Sequence, residues 1–138
     1  MTLPRRTPVK ETDLYAPVRD WLAGAGWQVR GEVNGCDVAA LDGERLVLVE
    51  LKTSLNFDVV LQAVDRQRLA DAVYVAVPVR ARAMARSRWN LAVHLLKRLE
   101  LGLLLVTLPG PGVPRPRVDE AIPPVPFDRA RSQSSARR

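Results

Sequence analysis

Cysteine and histidine are almost absent from this 138-residue chain, which contains one of each. With a single cysteine, Cys36, the chain can form neither an internal disulfide nor a zinc site built from cysteines. The single histidine, His94, falls in the middle of a predicted helix between core positions. A structural role is commoner for such a histidine than a catalytic one, so we do not place it in a candidate site.

Long apolar runs are also missing. No run reaches the length of a transmembrane helix. The first residues, MTLPRRTPVKETD, lack the apolar stretch of a secretory signal peptide. The sequence therefore predicts a cytoplasmic protein without a membrane partner.

Acidic residues are fewer than basic ones, 15 against 21, and the formal net charge is +6. A basic surplus fits an anionic partner such as nucleic acid, although many basic proteins bind none. Residues 109–138 supply half of the surplus and seven of the eleven prolines. We expect a flexible arm over 1–10, one domain over 11–108 and a mostly disordered basic tail over 109–138, in which Val118–Ile122 is an alternative short strand.

The domain shows alternating helix and strand patterns. Apolar spacing and turn residues predict a helix from a cap at Thr12 or Asp13 to about Ala23, strands Trp27–Val33, Cys36–Leu41 and Arg45–Lys52, a helix from a cap within 53–56 to about Ala70, strand Ala72–Val79, helix Arg82–Glu100 and strand Leu103–Leu108. We expect that Pro17 either lies in or near the first helical turn or costs a helical hydrogen bond. Pro78 indicates either an edge strand or the end of its strand. The order predicts an α/β fold, a mixed sheet with a three-stranded antiparallel meander flanked by helices.

Two Asx-Gly pairs connect the strands of the meander. Asn34-Gly35 and Asp42-Gly43 are strong hairpin signals because both central residues of a type I′ turn have positive φ. If Asp42-Gly43 is a two-residue loop, Leu41 pairs with Glu44. The register of each strand in the meander then follows from its turn.

These registers predict a cluster of charges. Glu32 lies opposite Asp37, and Glu50 is the diagonal neighbour of Asp37 on the third strand. Because side chains alternate with period two, Glu50 and Lys52 share the face of Asp37. The alternative is that these groups are solvated residues at an edge of the meander.

Carboxylates that converge in this way repel one another unless a cation or protons neutralise them. A set made only of hard oxygen donors suits Mg²⁺ or Mn²⁺. The residues thus predict either a divalent-cation site or side chains that splay into solvent.

Asp37, then Glu50-Leu51-Lys52 at the end of the next strand, then a helix with Gln62, resembles the PD-(D/E)XK nuclease superfamily. The predicted order αβββαβ matches the restriction-endonuclease-like core of that superfamily. The stretches LYAPVRDWLAGAGWQVRGEVNGCDVAA and LVELKTSLNFDVVLQAVDR further resemble a bacterial family of unknown function assigned there as phosphodiesterases. Cys36 stands where many members have proline before the aspartate.

The resemblance implies a role for each residue of the motif. Asp37 and Glu50 would ligate Mg²⁺ together with the backbone carbonyl of Leu51. Lys52 would position the attacking water and stabilise charge on the transition state. Gln62 would orient Lys52 or the substrate.

A further acidic ligand is expected, and two residues compete for the position. The resemblance favours Glu11 at the first helix, whereas the register argument favours Glu32. Both alternatives remain open from the sequence.

The function implied is a Mg²⁺-dependent nuclease that hydrolyses nucleic acid, DNA rather than RNA, with Arg66, Arg82, Arg86 and Arg88 as candidate contacts to it. Arginines at the start of a helix oppose its dipole, so an anionic partner and simple solvation are the two explanations for the last three. The alternatives are a non-cleaving nucleic-acid-binding module on the same fold and a partner of a larger protein complex. Many relatives cut as dimers, so the resemblance allows a homodimer.

Overall fold

The structure is a computed structural model that describes residues 8–31 and 37–126. Within these ranges the chain has an α/β fold with a mixed six-stranded sheet. The helices are α1 (Glu11–Gly24), α2 (Phe57–Arg66) and α3 (Arg86–Arg98), and a 3₁₀ turn spans Val79–Arg82. The strands are β1 (Gln28–Arg30), β2 (Asp37–Asp42), β3 (Arg45–Leu51), β4 (Ala72–Pro78), β5 (Gly102–Thr107) and β6 (Arg117–Ile122).

The strands lie in the sheet in the order of the sequence, β1 to β6. β1, β2 and β3 are mutually antiparallel, as expected for the meander, and β3, β4 and β5 are parallel. Parallel neighbours require crossover connections, and α2 and α3 provide them. The carboxyl ends of β3, β4 and β5 therefore meet at one edge of the sheet.

The helices cover both faces of the sheet and form two apolar cores. α1 packs through Leu14, Val18 and Leu22 on one face. α2 and α3 pack on the opposite face, where Val59 and Leu96 meet alternate residues of β4 and β5. All seven residues of β4 are buried, which is typical of a strand covered by helices on both sides.

Pro17 lies beyond the first turn of α1, so the second of the two alternatives for this residue holds. The helix begins at Glu11, one residue before the expected cap, and the Asp13 carboxylate accepts a hydrogen bond from the Lys10 backbone N–H at 2.9 Å. Pro17 is therefore the seventh helical residue and removes one helical hydrogen bond. Complete burial of three apolar side chains, worth about 1.5–3 kcal/mol each, offsets a proline cost of about 3 kcal/mol.

The β2–β3 hairpin turns one residue later than predicted. Asp42 pairs with Arg45, so the loop is Gly43-Glu44 and Leu41 does not pair with Glu44. Gly43 occupies the first loop position with φ of 60°, a conformation that glycine adopts without steric cost. The resulting register shift of two residues preserves which face each residue occupies, because strand side chains alternate with period two.

Pro78 ends β4, the second of the two alternatives for this residue. The edge-strand alternative is wrong, because β4 lies between β3 and β5. The chain then forms the 3₁₀ turn, so α3 begins at Arg86 and not at Arg82. His94 on α3 is exposed, not buried between core positions as expected.

The fold continues beyond Leu108, where we placed the end of the domain. β6 pairs antiparallel with β5 and includes the alternative strand Val118–Ile122. Ile122 is buried in the core shared with α2 and α3.

Among the helices of the described ranges, none has the length and apolar character needed to cross a membrane.

Candidate active site

The candidate site lies where β2 begins and β3 ends. Asp37 pairs directly with Glu50 in the sheet register, closer than the diagonal relationship predicted from the sequence. Directly opposite positions in an antiparallel pair have Cβ atoms about 5 Å apart and share one face of the sheet. The register thus places two acidic positions together, while the side chain of Asp37 itself lies outside what the structure describes.

Glu50 is the central feature of this site because its carboxylate is almost fully removed from water. The residue is 2% exposed and is the only charged residue found buried among the side chains that the structure describes. An isolated buried carboxylate is strongly unfavourable, so it requires a positively charged partner or a proton. The residues around Glu50 must therefore neutralise its charge.

Arg66 on α2 supplies that positive charge. Its Nε donates to Glu50 Oε1 at 2.8 Å. Glu50 lies on the face of the sheet that α2 covers, and Arg66 is on the last turn of that helix. The sequence placed Arg66 among nucleic-acid contacts, whereas in the structure it is the counter-ion of the buried glutamate.

Lys52 follows directly after β3, and its side chain approaches α1. Its Nζ lies 3.7 Å from Glu11 Oε1, and both side chains are roughly one quarter to one third exposed. We predicted from alternation that Lys52 shares the face of Glu50; its backbone N–H donates to the Ala76 carbonyl at 3.0 Å at the end of β3, and its side chain reaches the start of α1. Glu50 thus pairs with a helix on one face of the sheet, and Lys52 pairs with the helix on the other.

Glu11 is therefore brought to the site by the start of α1. Glu32, its competitor for a place among the metal ligands, lies outside the described residues, as does Cys36. Together, Glu11, Asp37 and Glu50 carry three formal negative charges against two positive charges on Lys52 and Arg66. One formal negative charge remains within this set.

The other two residues predicted for the site, Leu51 and Gln62, lie on β3 and α2. Leu51 is fully buried at the last position of β3, adjacent to Glu50. Gln62 is exposed on α2, four residues before Arg66 and hence on the same side of that helix. The i, i+4 spacing of Gln62 and Arg66 was the sequence signal that could have placed Arg66 in this site.

Four exposed arginines follow the carboxyl end of β4. Arg80 and Arg82 lie in the 3₁₀ turn, and Arg86 and Arg88 lie at the start of α3. The first turn of α3 contains no acidic residue and has no side-chain cap. None of these four arginines has an ion-pair partner among the residues that the structure describes. They lie at the same edge of the sheet as Lys52, since β3 and β4 are parallel.

Comparison with known protein families, with curated proteins and with solved structures finds no match for this chain. The site must therefore be judged on its own chemistry.

The donor chemistry of the site fits a hard divalent cation. Carboxylate and carbonyl oxygens are the ligands that Mg²⁺ and Mn²⁺ prefer. The buried Glu50 carboxylate needs a neighbouring positive charge, and in the structure Arg66 provides it. Among the side chains described, no three of histidine, cysteine, aspartate or glutamate lie close enough to share a metal. Asp37 is placed beside Glu50 by the sheet register alone. The Leu51 carbonyl is a backbone oxygen and so does not count among these side chains.

Proposed function

We propose that this protein is a Mg²⁺-dependent phosphodiesterase that hydrolyses nucleic acid, DNA more readily than RNA, on a restriction-endonuclease-like fold. The observation that carries the proposal is the buried Glu50 carboxylate directly opposite Asp37, with Lys52 two residues further along the chain. Arg66 offsets the desolvation of one carboxylate, but the sheet register places a second acidic position, Asp37, directly beside it. A divalent cation would neutralise this additional negative charge.

Asp37, Glu50 and the Leu51 carbonyl would hold the metal, which supplies Lewis-acid activation of water and of the phosphate. Lys52 would stabilise the negative charge that develops on the phosphate oxygens, because an ammonium group is a strong charge-assisted hydrogen-bond donor. Glu11 keeps that ammonium group oriented from the side of α1. Gln62, exposed on α2, would orient the substrate.

The exposed arginines support a polyanionic substrate. Arg82 and Arg86 extend from the edge of the sheet that carries Lys52. Arginine side chains bind phosphate through two parallel N–H donors. Contacts of this kind hold the backbone of nucleic acid without reading its sequence.

One observation favours a second function, a nucleic-acid-binding module that does not cleave. Arg66 already neutralises Glu50 with a 2.8 Å contact, so the buried charge is satisfied without a metal. In that case the arginines alone would carry the activity, as a salt-dependent affinity for nucleic acid.

A cleavage assay with linear and branched DNA in the presence of Mg²⁺ separates the two functions. We expect the wild type to cut, and Asp37→Asn and Glu50→Gln to lose at least about a thousandfold in rate, as is typical when charge stabilisation in an active site is removed. The matched control is Asp65→Asn, an exposed carboxylate on α2 that pairs with Arg68. Binding of DNA without cleavage by the wild type would leave the second function in place.

A further inference from the structure

An apolar groove lies between α2 and α3 on the face of the sheet opposite α1. It is formed by the first turn of α2, by α3 from Arg88 to Leu96 and by the segments that precede both helices, and its volume is about 280 Å³. Eight of its ten lining side chains are apolar, the others being Asn56 and Arg88. The polar groups of Asn56 are already used, because its Oδ1 accepts from the Val59 backbone N–H and its Nδ2 donates to Ser54 Oγ.

The walls of this α2–α3 groove are unusually exposed for apolar side chains. Phe57 is 69% exposed on α2, and Leu91 is 67% exposed on α3. Leu95, which also lines the groove, is exposed and follows Leu91 at i+4, and the exposed Leu61 follows Phe57 at i+4 next to the groove, so each helix presents a short apolar ridge. Contiguous exposed apolar surface of this kind marks a site of protein interaction.

The lining of the groove carries charge of a single sign. Arg88 is the only ionisable residue in its lining. Arg82 and Arg86 are exposed immediately before it in the chain, and none of the three has an ion-pair partner within the described ranges. A partner that fills the groove is therefore complementary if it is apolar on one side and acidic at the end that meets Arg88.

We propose that the α2–α3 groove docks an amphipathic, acidic helix of another protein. Its apolar side chains would lie between Phe57, Leu91 and Leu95, and its carboxylates would face Arg88. Grooves between helices recognise such segments through apolar anchors spaced at i, i+3 or i+4, and i+7. The proposal is independent of phosphodiesterase activity.

Two other occupants fit the groove less well. A second copy of this chain would form an isologous contact, which places the same surface on both sides and brings the arginines of one α3 towards those of the other. Nucleic acid would match the arginines, but its phosphates would gain nothing from apolar walls.

Fluorescence anisotropy with a synthetic helical peptide tests the proposal on the full chain. The probe carries leucines at i, i+4 and i+7 and glutamates at the flanking positions. Leu91→Ser and Arg88→Glu are each expected to weaken its binding by about tenfold or more, the effect of losing one interface anchor. Leu69→Ser is the matched control, because Leu69 is 59% exposed outside the groove.

Two further probes establish the chemistry of the partner. A scrambled peptide of the same composition should bind weakly, and a probe with lysines in place of glutamates should prefer the Arg88→Glu variant. Equal binding of the scrambled probe would overturn the proposal. So would an affinity for oligo-dT that Leu91→Ser lowers as much as it lowers that of the glutamate probe, which would assign the groove to nucleic acid, or a dimer that Leu91→Ser dissociates, which would assign it to a second copy.

Discussion

Removing the charge of Arg66 should make the protein less stable and, at the same time, more responsive to divalent cations. In Arg66→Met the Glu50 carboxylate, 3% exposed in its side chain, loses the guanidinium that contacts it at 2.8 Å. Breaking a fully buried pair costs about 3–5 kcal/mol. Because the Arg66 side chain is 34% exposed and water can replace part of it, we expect a loss of about 2–3 kcal/mol in the free energy of unfolding.

For a chain of this size, that loss lowers the Tm by about 6–12 °C. Mn²⁺ should then stabilise the variant more than the wild type, because the cation no longer competes with the guanidinium for Glu50. A tenfold gain in Mn²⁺ affinity corresponds to about 1.4 kcal/mol, which adds about 5 °C to the cation-induced rise in Tm.

The measurement is thermal unfolding by circular dichroism with EDTA and with Mn²⁺, for the wild type, Arg66→Met and Arg68→Met. Arg68 is the control, because it pairs with Asp65 on the surface and is 79% exposed. Its replacement should change the stability by no more than about 0.5 kcal/mol. An equal Mn²⁺ response in the wild type and in Arg66→Met would refute the view that Arg66 and the cation share Glu50.

Three further perturbations test other parts of the structure. Lys52→Ala should reduce the cleavage rate by orders of magnitude while calorimetry still detects Mn²⁺ binding, because the ammonium group acts on charge in the transition state; lost metal affinity would contradict this role. Tyr74→Phe removes a hydrogen bond to Glu120 and should cost about 1 kcal/mol in urea unfolding. Burial and the contact with Glu120 raise the pKa of Tyr74 well above its ordinary value, so the unfolded chain loses this proton first. Wild-type stability should therefore fall as the pH rises above about 10, and it should fall less steeply in Tyr74→Phe. Gly102→Ala places a Cβ 2.5 Å from the Tyr74 ring and 2.9 Å from Pro124, and the overpacking should lower the stability by about 1–3 kcal/mol; an unchanged Tm would show that the ring can move aside.

Periodicity and turn chemistry predicted the element order and the mixed α/β sheet because both are local properties of the sequence. The strand β3 is a clear example, since its aliphatic run ends within one residue of the predicted position. Boundaries that depend on tertiary packing were less accurate. Pro17 is tolerated within α1 because the buried face of the helix outweighs the lost hydrogen bond.

The partners of the site residues could not be predicted in this way. The approach of Arg66 to Glu50 depends on where α2 crosses the sheet, and the pairing of Lys52 with Glu11 depends on where α1 begins beside the end of β3. Neither contact produces a repeating pattern in the sequence that would predict it. The predicted charge balance was less informative than the predicted register. It indicated an excess of carboxylates but not that Arg66 would neutralise Glu50.

The position of β6 has a consequence for the assembly of the molecule. β5, with the sequence GLLLVT, is buried over five of its six residues and pairs with β6 along one side. A chain shortened at Leu108 would leave that side as an unpaired apolar edge, which is a template for strand addition and aggregation. The proline-rich segment that follows β5 thus closes the sheet with a strand that is mostly exposed and carries Arg117, Asp119 and Glu120. Charged residues on an edge strand discourage further pairing, so this segment protects the parallel strands that hold the candidate site from joining those of a neighbouring molecule.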